Sequence, residues 1–335
     1  MAVYTTIDNP ELYFQTKIYT GDGNDDRNIV FDVTDTSLQP NMLWSSRRDS
    51  GDNKSIYDSV RGNGKELRTA GTSLELDRSD NIQALNSNGF QVGTDGQVNA
   101  SGGTYVSWAW KESADAGFDI VGYTGNGSNR TISHSLSAVP SVMIIKGRSF
   151  SDGWCTYHKT LGNPIIGALD ADVADRYSSK WSVFFNSTAP TSSVFSLGTD
   201  TAVNNNSETH IAYLWSEKQG YSKFGKYIGN GSADGTYIHL GFRPAWGIFK
   251  RTDNTADWYM YDNKRNTFNV VDDRLEANNS DAEAADGGDG NTVDFLSNGF
   301  KLRGSGGSMN DGTFIYMAFA EAPFVNSKGV PANAR

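Results

Sequence analysis

The sequence predicts an all-β protein made of three tandem β-sandwich modules, jelly-roll-like in form and about 100 residues each. Three observations support this. Glycine and aromatic residues are plentiful, with 36 Gly, 15 Tyr, 17 Phe and 8 Trp, a composition that favours extended structure. The same motifs return three times along the chain, and the last segment of each copy alternates apolar residues with a period of two.

Each copy opens and closes with its own motif. The opening is an aromatic residue followed by Y-x-G-x-G: FQTKIYTGDG at 14–23, FDIVGYTGNG at 118–127 and FGKYIGNG at 224–231. The glycine pairs are typical of a tight turn that needs positive φ. A proline then precedes a hydrophobic run that ends in cations, and each copy closes around one phenylalanine, at Phe90, Phe195 and Phe300.

The final nine-residue segments, which start at Thr104, Thr209 and Thr313, align without a gap. Their alternating apolar residues predict strands. Their opposite faces are also semi-apolar, so we expect these strands to be covered on both sides, as in a sandwich. The predicted boundaries are an N-terminal arm at 1–12, modules at 13–116, 117–219 and 220–321, and a C-terminal tail at 322–335.

The two ends look like docking extensions. A terminal segment without a core of its own must be ordered by a neighbour if it is ordered at all. We therefore predict that residues 1–12 or 322–335 contact another subunit. The candidate assembly contacts are Tyr4, Leu12, Tyr13, Phe324 and Val325.

Charge and cysteine content exclude several function classes. A net charge of −10 gives no attraction to phosphate backbones, so we expect no nucleic-acid partner. The one cysteine, Cys155, excludes an intramolecular disulfide framework and a multi-cysteine zinc site, and we expect it to pack as a small hydrophobe. There is no basic and apolar leader and no apolar run of membrane length, which predicts cytoplasmic synthesis without membrane insertion.

No catalytic constellation stands out, and we predict a non-enzymatic protein without cofactor or metal. His210 occupies the repeat position of Tyr105 and Phe314, and His158 that of Asp58 and Asp262, so neither is expected to act as a general base. No nucleophile elbow, phosphate loop or zinc-protease motif is present. A glycosidase-like carboxylate pair stays open, because spatial pairing among the 39 acidic residues is invisible in sequence.

Three surface features allow a functional and a structural interpretation. The acidic segment 281–294, with Asp281, Glu283, Asp286, Asp289 and Asp294, has calcium-type ligands, but a solvated insertion is favoured. The recurring cations Arg47, Arg48, Lys146, Arg148, Lys250 and Arg251 could form a row of anion contacts, but protection of strand edges is favoured. Trp181 has no counterpart in the other copies and is the candidate exposed aromatic for glycan contact. Specificity is expected in the variable loops 61–84, 162–191 and 266–294.

The chain resembles a family of virion structural, tail-fibre-like proteins of marine tailed phages of the cyanophage and pelagiphage type. The motifs that carry the resemblance are YTGNGS, P-x-x-x-x-x-K-x-R, SNGF and the terminal IYMAFAEAPFVNSKGVPANAR. The resemblance implies a particle component located in the virion: a tail-fibre, spike or head-decoration subunit. Its expected partners are other virion proteins, further copies of itself in a homo-oligomer such as a trimer, and a host-surface glycan. Two alternatives stay open, a multivalent lectin-like receptor-binding protein and a polysaccharide-degrading tailspike. Head against tail location is also open.

Overall fold

The structure is a computed structural model that describes residues 5–32, 36–161, 167–173, 180–285 and 290–331. Within these ranges it contains twenty-five β-strands, four short α-helices and one 3-10 helix, Pro10–Leu12. All sheets are antiparallel. The predicted all-β fold class is therefore confirmed. Among the described residues, none of the helices has the length and apolar character that a membrane crossing requires.

The strands fall into three consecutive groups, which we call modules 1, 2 and 3. Module 1 contains β1 Phe14–Thr20, β2 Arg27–Val30, β3 Met42–Arg47, β4 Ser55–Asp58, β5 Lys65–Arg68, β6 Leu76–Asp77, β7 Ile82–Asn86, β8 Gly89–Val92, α1 Gly96–Asn99 and β9 Thr104–Trp110. Module 2 contains β10 Phe118–Thr124, β11 Arg130–Ser133, β12 Val142–Gly147, β13 Cys155–His158, β14 Gly167–Ala168, α2 Trp181–Phe185, β15 Val194–Leu197, α3 Thr201–Asn204 and β16 Thr209–Trp215. Module 3 contains β17 Ser222–Asn230, β18 Tyr237–His239, β19 Phe242–Arg251, β20 Trp258–Asp262, β21 Asp273–Glu276, β22 Ala284–Ala285, β23 Val293–Leu296, β24 Gly299–Leu302, α4 Gly307–Asn310 and β25 Asp311–Pro323.

Each module has a large main sheet with a small sheet behind it. The main sheets have the orders β1-β9-β3-β4-β5-β6, β10-β16-β12-β13-β14 and β17-β25-β19-β20-β21-β22. The small sheets are β2-β8-β7, β11-β15 and β18-β24-β23. In every main sheet the last strand of the module lies between its first strand and the strand at the proline motif, which follows Pro40 and Pro140 in modules 1 and 2 and contains Pro244 in module 3. The predicted boundaries at 116/117 and 219/220 fall between β9 and β10 and between β16 and β17.

Both faces of these last strands are buried. In β9, Trp108 points into a central core that draws residues from all three modules, among them Trp44, Ile144, Tyr213, Trp246 and Met317. The opposite face, with Tyr105 and Ala109, lies toward the small sheet of the same module, where Phe90 is fully buried. The prediction that these strands are covered on both sides is confirmed. The centre leaves a void of only about 10 Å³, about the minimum that one water molecule needs.

A buried asparagine explains the repeated glycine turn. In module 2, the Asn204 amide nitrogen donates to the carbonyls of Gly198 (2.6 Å) and Ser128 (2.8 Å), and its oxygen accepts from the backbone N–H of Asn126 (2.9 Å). The same three kinds of bond recur at two further asparagines, Asn99 and Asn310. The opening turn of each module is thus fixed by the short helix that precedes its last strand.

The close approach of this helix requires glycine in the turn. A Cβ on Gly125 would lie 2.1 Å from the Asn205 carbonyl oxygen, which is far inside van der Waals contact. The tyrosine before each glycine turn packs on the last strand and donates its hydroxyl to a helix carbonyl, as Tyr123 does to Val203 at 2.6 Å. The Y-x-G-x-G motif is therefore a scaffold element in all three modules.

The described parts of both ends pack on this chain. Thr5 donates to the Gln219 carbonyl at 3.1 Å, and Ile7 is buried in the central core. Asp8 accepts from the Ser327 backbone N–H at 2.7 Å, which joins the two ends to each other. The described parts of both ends therefore have contacts within this chain: Ile7, Pro10 and Pro323 are buried, whereas residues 327–331 are exposed.

The predicted assembly contacts have different surroundings. Leu12 is 38% exposed, whereas Tyr13 packs edge-on against Tyr221 with ring centroids 6.2 Å apart. The Phe324 N–H donates to the Gly241 carbonyl, and Val325 forms a β-bridge with Pro331. Tyr4 lies outside the described residues. Contact of these residues with another subunit stays a prediction.

Candidate functional site

Buried charge concentrates where modules 1 and 2 meet, at a boundary we call seam 1–2. Asp58 and Arg61 form an ion pair whose side chains are both fully buried. Asp58 also accepts from the Tyr213 hydroxyl of module 2 at 2.6 Å. Arg61 lies 3.3 Å from the Glu75 carboxylate, which receives two further bonds from Arg148 of module 2, at 2.9 and 3.0 Å. A chain of four alternating charges therefore crosses this seam.

The same chain of charges crosses seam 3–1, between modules 3 and 1. Asp262 and Arg265 repeat the fully buried ion pair at 2.5 Å, and Asp262 accepts from the Trp108 indole N–H of module 1 at 3.0 Å. Arg265 donates to Glu283 at 2.9 Å, and Glu283 accepts from Arg48 of module 1. The equivalence extends to the backbone, since Glu75 and Glu283 each donate their N–H to the carbonyl of the arginine they bind.

Seam 2–3, between modules 2 and 3, uses neutral groups at the same repeat positions. His158 replaces the aspartate and Leu161 the arginine. The module 3 residue at the position of Trp108 and Tyr213 is Met317, which has no N–H or O–H donor. His158 instead contacts the Tyr316 carbonyl through Nε2 at 3.2 Å and the Thr160 hydroxyl through Nδ1 at 2.8 Å. Burial lowers the pKa of this imidazole to about 4, so it is neutral at pH 7.

These contacts close into a ring. The last strand of module 1 contacts module 3, that of module 2 contacts module 1, and that of module 3 contacts module 2. A head-to-tail contact that closes after three repeats is the geometry of cyclic threefold symmetry. One chain thus has the arrangement of a trimer.

Each seam also contains one buried lysine. Lys146 donates to the carbonyls of Thr72 and Asp152 at seam 1–2, and Lys250 to those of Asp172 and Ala256 at seam 2–3. At seam 3–1 the corresponding lysine is Lys54, which directly precedes β4 and binds the Asp281 carbonyl. Burial lowers the pKa of all three ammonium groups to about 8. Strongly shifted pKa values often mark catalytic sites, but these groups are enclosed between modules and bind backbone carbonyls.

The recurring cations are therefore neither free edge charges nor a row of anion contacts. Arg48 and Arg148 bind carboxylates of the adjacent module, and Lys146 and Lys250 are buried. Two more, Arg47 and Arg251, pair with the nearby Asp49 and Asp253. The glutamates at the seams come from the variable loops 61–84 and 266–294, so these loops join modules.

The acidic segment 281–294 does not gather its carboxylates in the described residues. Glu283 binds Arg48 and Arg265, and Asp294 lies 3.2 Å from Arg303. Asp286 and Asp289 lie outside the described residues. In the part of the chain that the structure describes, no group of three or more histidine, cysteine, aspartate or glutamate side chains could hold a metal ion.

The candidate glycan contact Trp181 was predicted to be exposed, and this prediction is wrong. Trp181 is only 6% exposed, because α2 packs its indole against Tyr157 and Phe185 in the core of module 2. Cys155 is fully buried beside it, as predicted, and burial raises the pKa of its thiol well above the usual value. His210 stacks on Tyr123 with ring planes 4° apart, which confirms its predicted packing role.

The sequence interpretation missed a groove on the outside of module 3. It lies between β17 and β18, the first strands of the main and small sheets, and has a volume of about 690 Å³. Ile228 is 71% exposed on its wall and Tyr237 is 43% exposed. Lys226 and His239 also line it. A second groove of about 370 Å³ shares Lys223 and His239 with the first and extends to Phe324 and Val325.

Comparison with known proteins gives a family without an assigned function. Residues 9–323 match the family model described as a domain of unknown function, DUF7483. The match spans most of the chain, so the chain belongs to this family. No curated protein matches the chain.

Proposed function

We propose that this protein is a non-enzymatic structural component of a tailed-phage virion, located in the particle as a tail-fibre, spike or head-decoration subunit. The observation that carries the proposal is the closed ring of three equivalent modules. Its recurring polar residues hold turns and seams together: the asparagines fix the opening turns, the lysines join modules at all three seams, and charge networks join them at two of the three seams.

The ring also favours assembly on a threefold or pseudo-threefold position. Three modules related by rotation present three similar outer edges, so one chain can satisfy partners that are themselves arranged in threes. Other virion proteins are the partners that this geometry suits. The resemblance of YTGNGS, SNGF and the C-terminal segment to marine phage virion proteins supports the same assignment.

The test is the composition of purified particles. Particles of the phage whose genome encodes the chain are purified on a density gradient, and their proteins are quantified by mass spectrometry. The expected result is a fixed copy number per particle, with density for a three-module ring in a particle reconstruction. Recovery of the protein only in the soluble lysate would refute the proposal. Turnover of host polysaccharide that is lost when one carboxylate is mutated would overturn the non-enzymatic part.

A further inference from the structure

The three modules can be compared at their outer edges as well as at their seams. Pairing with Phe90, Phe195 and Phe300 fixes the equivalence of the first strands of the small sheets, because Ile29, Ile132 and Ile238 lie opposite these phenylalanines. The residue before each isoleucine is Asn28 in module 1, Thr131 in module 2 and Tyr237 in module 3. The groove in module 3 thus contains an exposed aromatic ring where the other modules have small polar side chains.

The way this edge is covered also differs. In modules 1 and 2, an arginine at the start of the small sheet crosses to the main sheet: Arg27 donates to the Thr20 carbonyl at 2.7 Å and Arg130 to that of Thr124 at 2.9 Å. In module 3 the equivalent carbonyl, of Ile228, accepts from the short Thr236 hydroxyl at 2.8 Å. A long guanidinium side chain covers the edge in two modules, and the third leaves a groove.

The positions of the cations on this edge also differ in module 3, where the arginine of the small sheet is absent and lysines lie on the first strand of the main sheet. Module 3 has Lys223, Lys226 and His239 at positions that are Gln15, Ile18 and Val30 in module 1 and Asp119, Gly122 and Ser133 in module 2. Lys223 donates to the His239 carbonyl at 2.7 Å, which uses one of its three N–H donors. Asp234, on the same side of the module, is already bound by Lys301. A protein with a net charge of −10 therefore has a locally cationic groove here.

We infer that this groove of module 3 binds an acidic saccharide, with Tyr237 stacked on a sugar ring and Lys223 and Lys226 contacting its carboxylate or sulfate groups. An aromatic face with a few polar groups around it is the usual composition of a small-ligand site, and the volume is in the usual range. The groove continues past His239 toward Phe324 and Val325, so an oligomer can occupy both parts.

Two observations favour a saccharide over a protein partner. Sixteen residues line the two grooves together, whereas a stable protein interface takes about 20 to 30 residues on each side. Lys226 also lies in the middle of the exposed edge strand β17, and a lysine there opposes the addition of a peptide strand. The inference does not depend on the proposed virion location.

The test measures binding of three defined probes to the purified full chain by calorimetry. The probes are an alginate hexasaccharide, which carries a carboxylate on every sugar, neutral maltohexaose and a hexaglutamate peptide. We expect binding of the alginate oligomer that weakens as salt rises from about 50 to about 500 mM, with much weaker binding of maltohexaose. Tyr237→Ala and Lys226→Ala should each weaken it by about tenfold or more.

The matched controls are Thr131→Ala and Asn28→Ala, at the equivalent positions of modules 2 and 1, which should bind like the unchanged protein. Tyr237 and Lys226 are exposed, so an unchanged melting temperature will show that their variants are folded. The inference is overturned if no alginate oligomer binds at millimolar concentration, or if Tyr237→Ala binds as well as Thr131→Ala. Stronger binding of hexaglutamate would identify a peptide site instead, and equal binding of maltohexaose would refute the role of charge.

Discussion

The ion pair Asp58–Arg61 offers the sharpest test of how the ring is held together. Both side chains are fully buried, and Asp58 accepts from the backbone N–H groups of Val60 and Arg61 as well as from Tyr213. Asp58→Ala leaves the Arg61 guanidinium buried without its closest counter-charge. Breaking a buried pair from one side costs about 3–5 kcal/mol.

This cost converts to a measurable shift in melting temperature. With about 2.1 cal/mol/K of unfolding entropy per residue, a chain of 335 residues has about 0.7 kcal/mol/K. We therefore expect Asp58→Ala to lower the melting temperature by about 4–7 °C in scanning calorimetry. The control is Asp77→Ala. Asp77 pairs with Lys65, and the Asp77 side chain is 82% exposed. It should shift the melting temperature by about 1 °C or less.

The chain itself supplies the compensating pair. Seam 2–3 has His158 and Leu161 where seam 1–2 has Asp58 and Arg61, so the double variant Asp58→His/Arg61→Leu removes both charges together. Replacement of a whole buried ion pair by neutral groups is often tolerated. We expect the double variant to lose less than half of the stability that the single variants Asp58→His and Arg61→Leu lose in sum. Additive losses, or a loss for Asp58→Ala no larger than for Asp77→Ala, would refute the reasoning.

Three further predictions concern the turns and the buried ionisable groups. Asn204→Ala removes three bonds to the opening turn of module 2 and should cost about 2–4 kcal/mol, with faster hydrogen exchange at residues 126–128. The ammonium of Lys146 has a pKa of about 8 in the folded chain and about 10.4 when unfolded, so between these values the unfolded chain binds more protons and stability rises with pH. Lys146→Met should reduce this rise in urea unfolding by about 1 kcal/mol per pH unit near pH 9. Burial is the main cause that raises the pKa of Glu112 to about 7, and a hydrogen bond with Asp119 is the second. Stability should therefore fall as pH rises from about 4.5 to about 7, because the folded chain binds more protons in this range. Glu112→Gln should flatten this dependence in thermal melts.

The strands were predictable because their signal is local. The period of two in β9, β16 and β25 follows from the geometry of a pleated strand, and Phe90 and its counterparts mark a position that packing fills with one large side chain. The seams were not predictable in the same way, although D-x-x-R at Asp58 and Asp262 is visible in the sequence. Its meaning depends on a partner from another module, and burial between modules leaves no periodic pattern.

Trp181 shows the opposite error. It has no counterpart in the other copies, and this led to the expectation of an exposed aromatic. The residue lies in α2, a helix of module 2 between β14 and β15, and its indole fills the core there. A residue unique to one copy can therefore serve packing. The same comparison is informative at Tyr237 because its ring is exposed, and no packing demand explains the change from Asn28 and Thr131.

Because the chain contains three repeats, its modules can be compared position by position as related sequences. At seam 2–3 the aspartate, the arginine that pairs with it and the aromatic donor opposite are all replaced, by His158, Leu161 and Met317, so that no charge is left buried without a partner at these positions. Replacement of one of them alone would leave an unpaired charge or a donor without an acceptor, each costly when buried. Coordinated change is thus what burial demands. At the edge of module 3 the changes to Lys223, Lys226, Tyr237 and His239 are also coordinated, but these side chains line an open groove, where burial imposes no such demand. The acidic saccharide that we infer to bind there would supply the missing constraint.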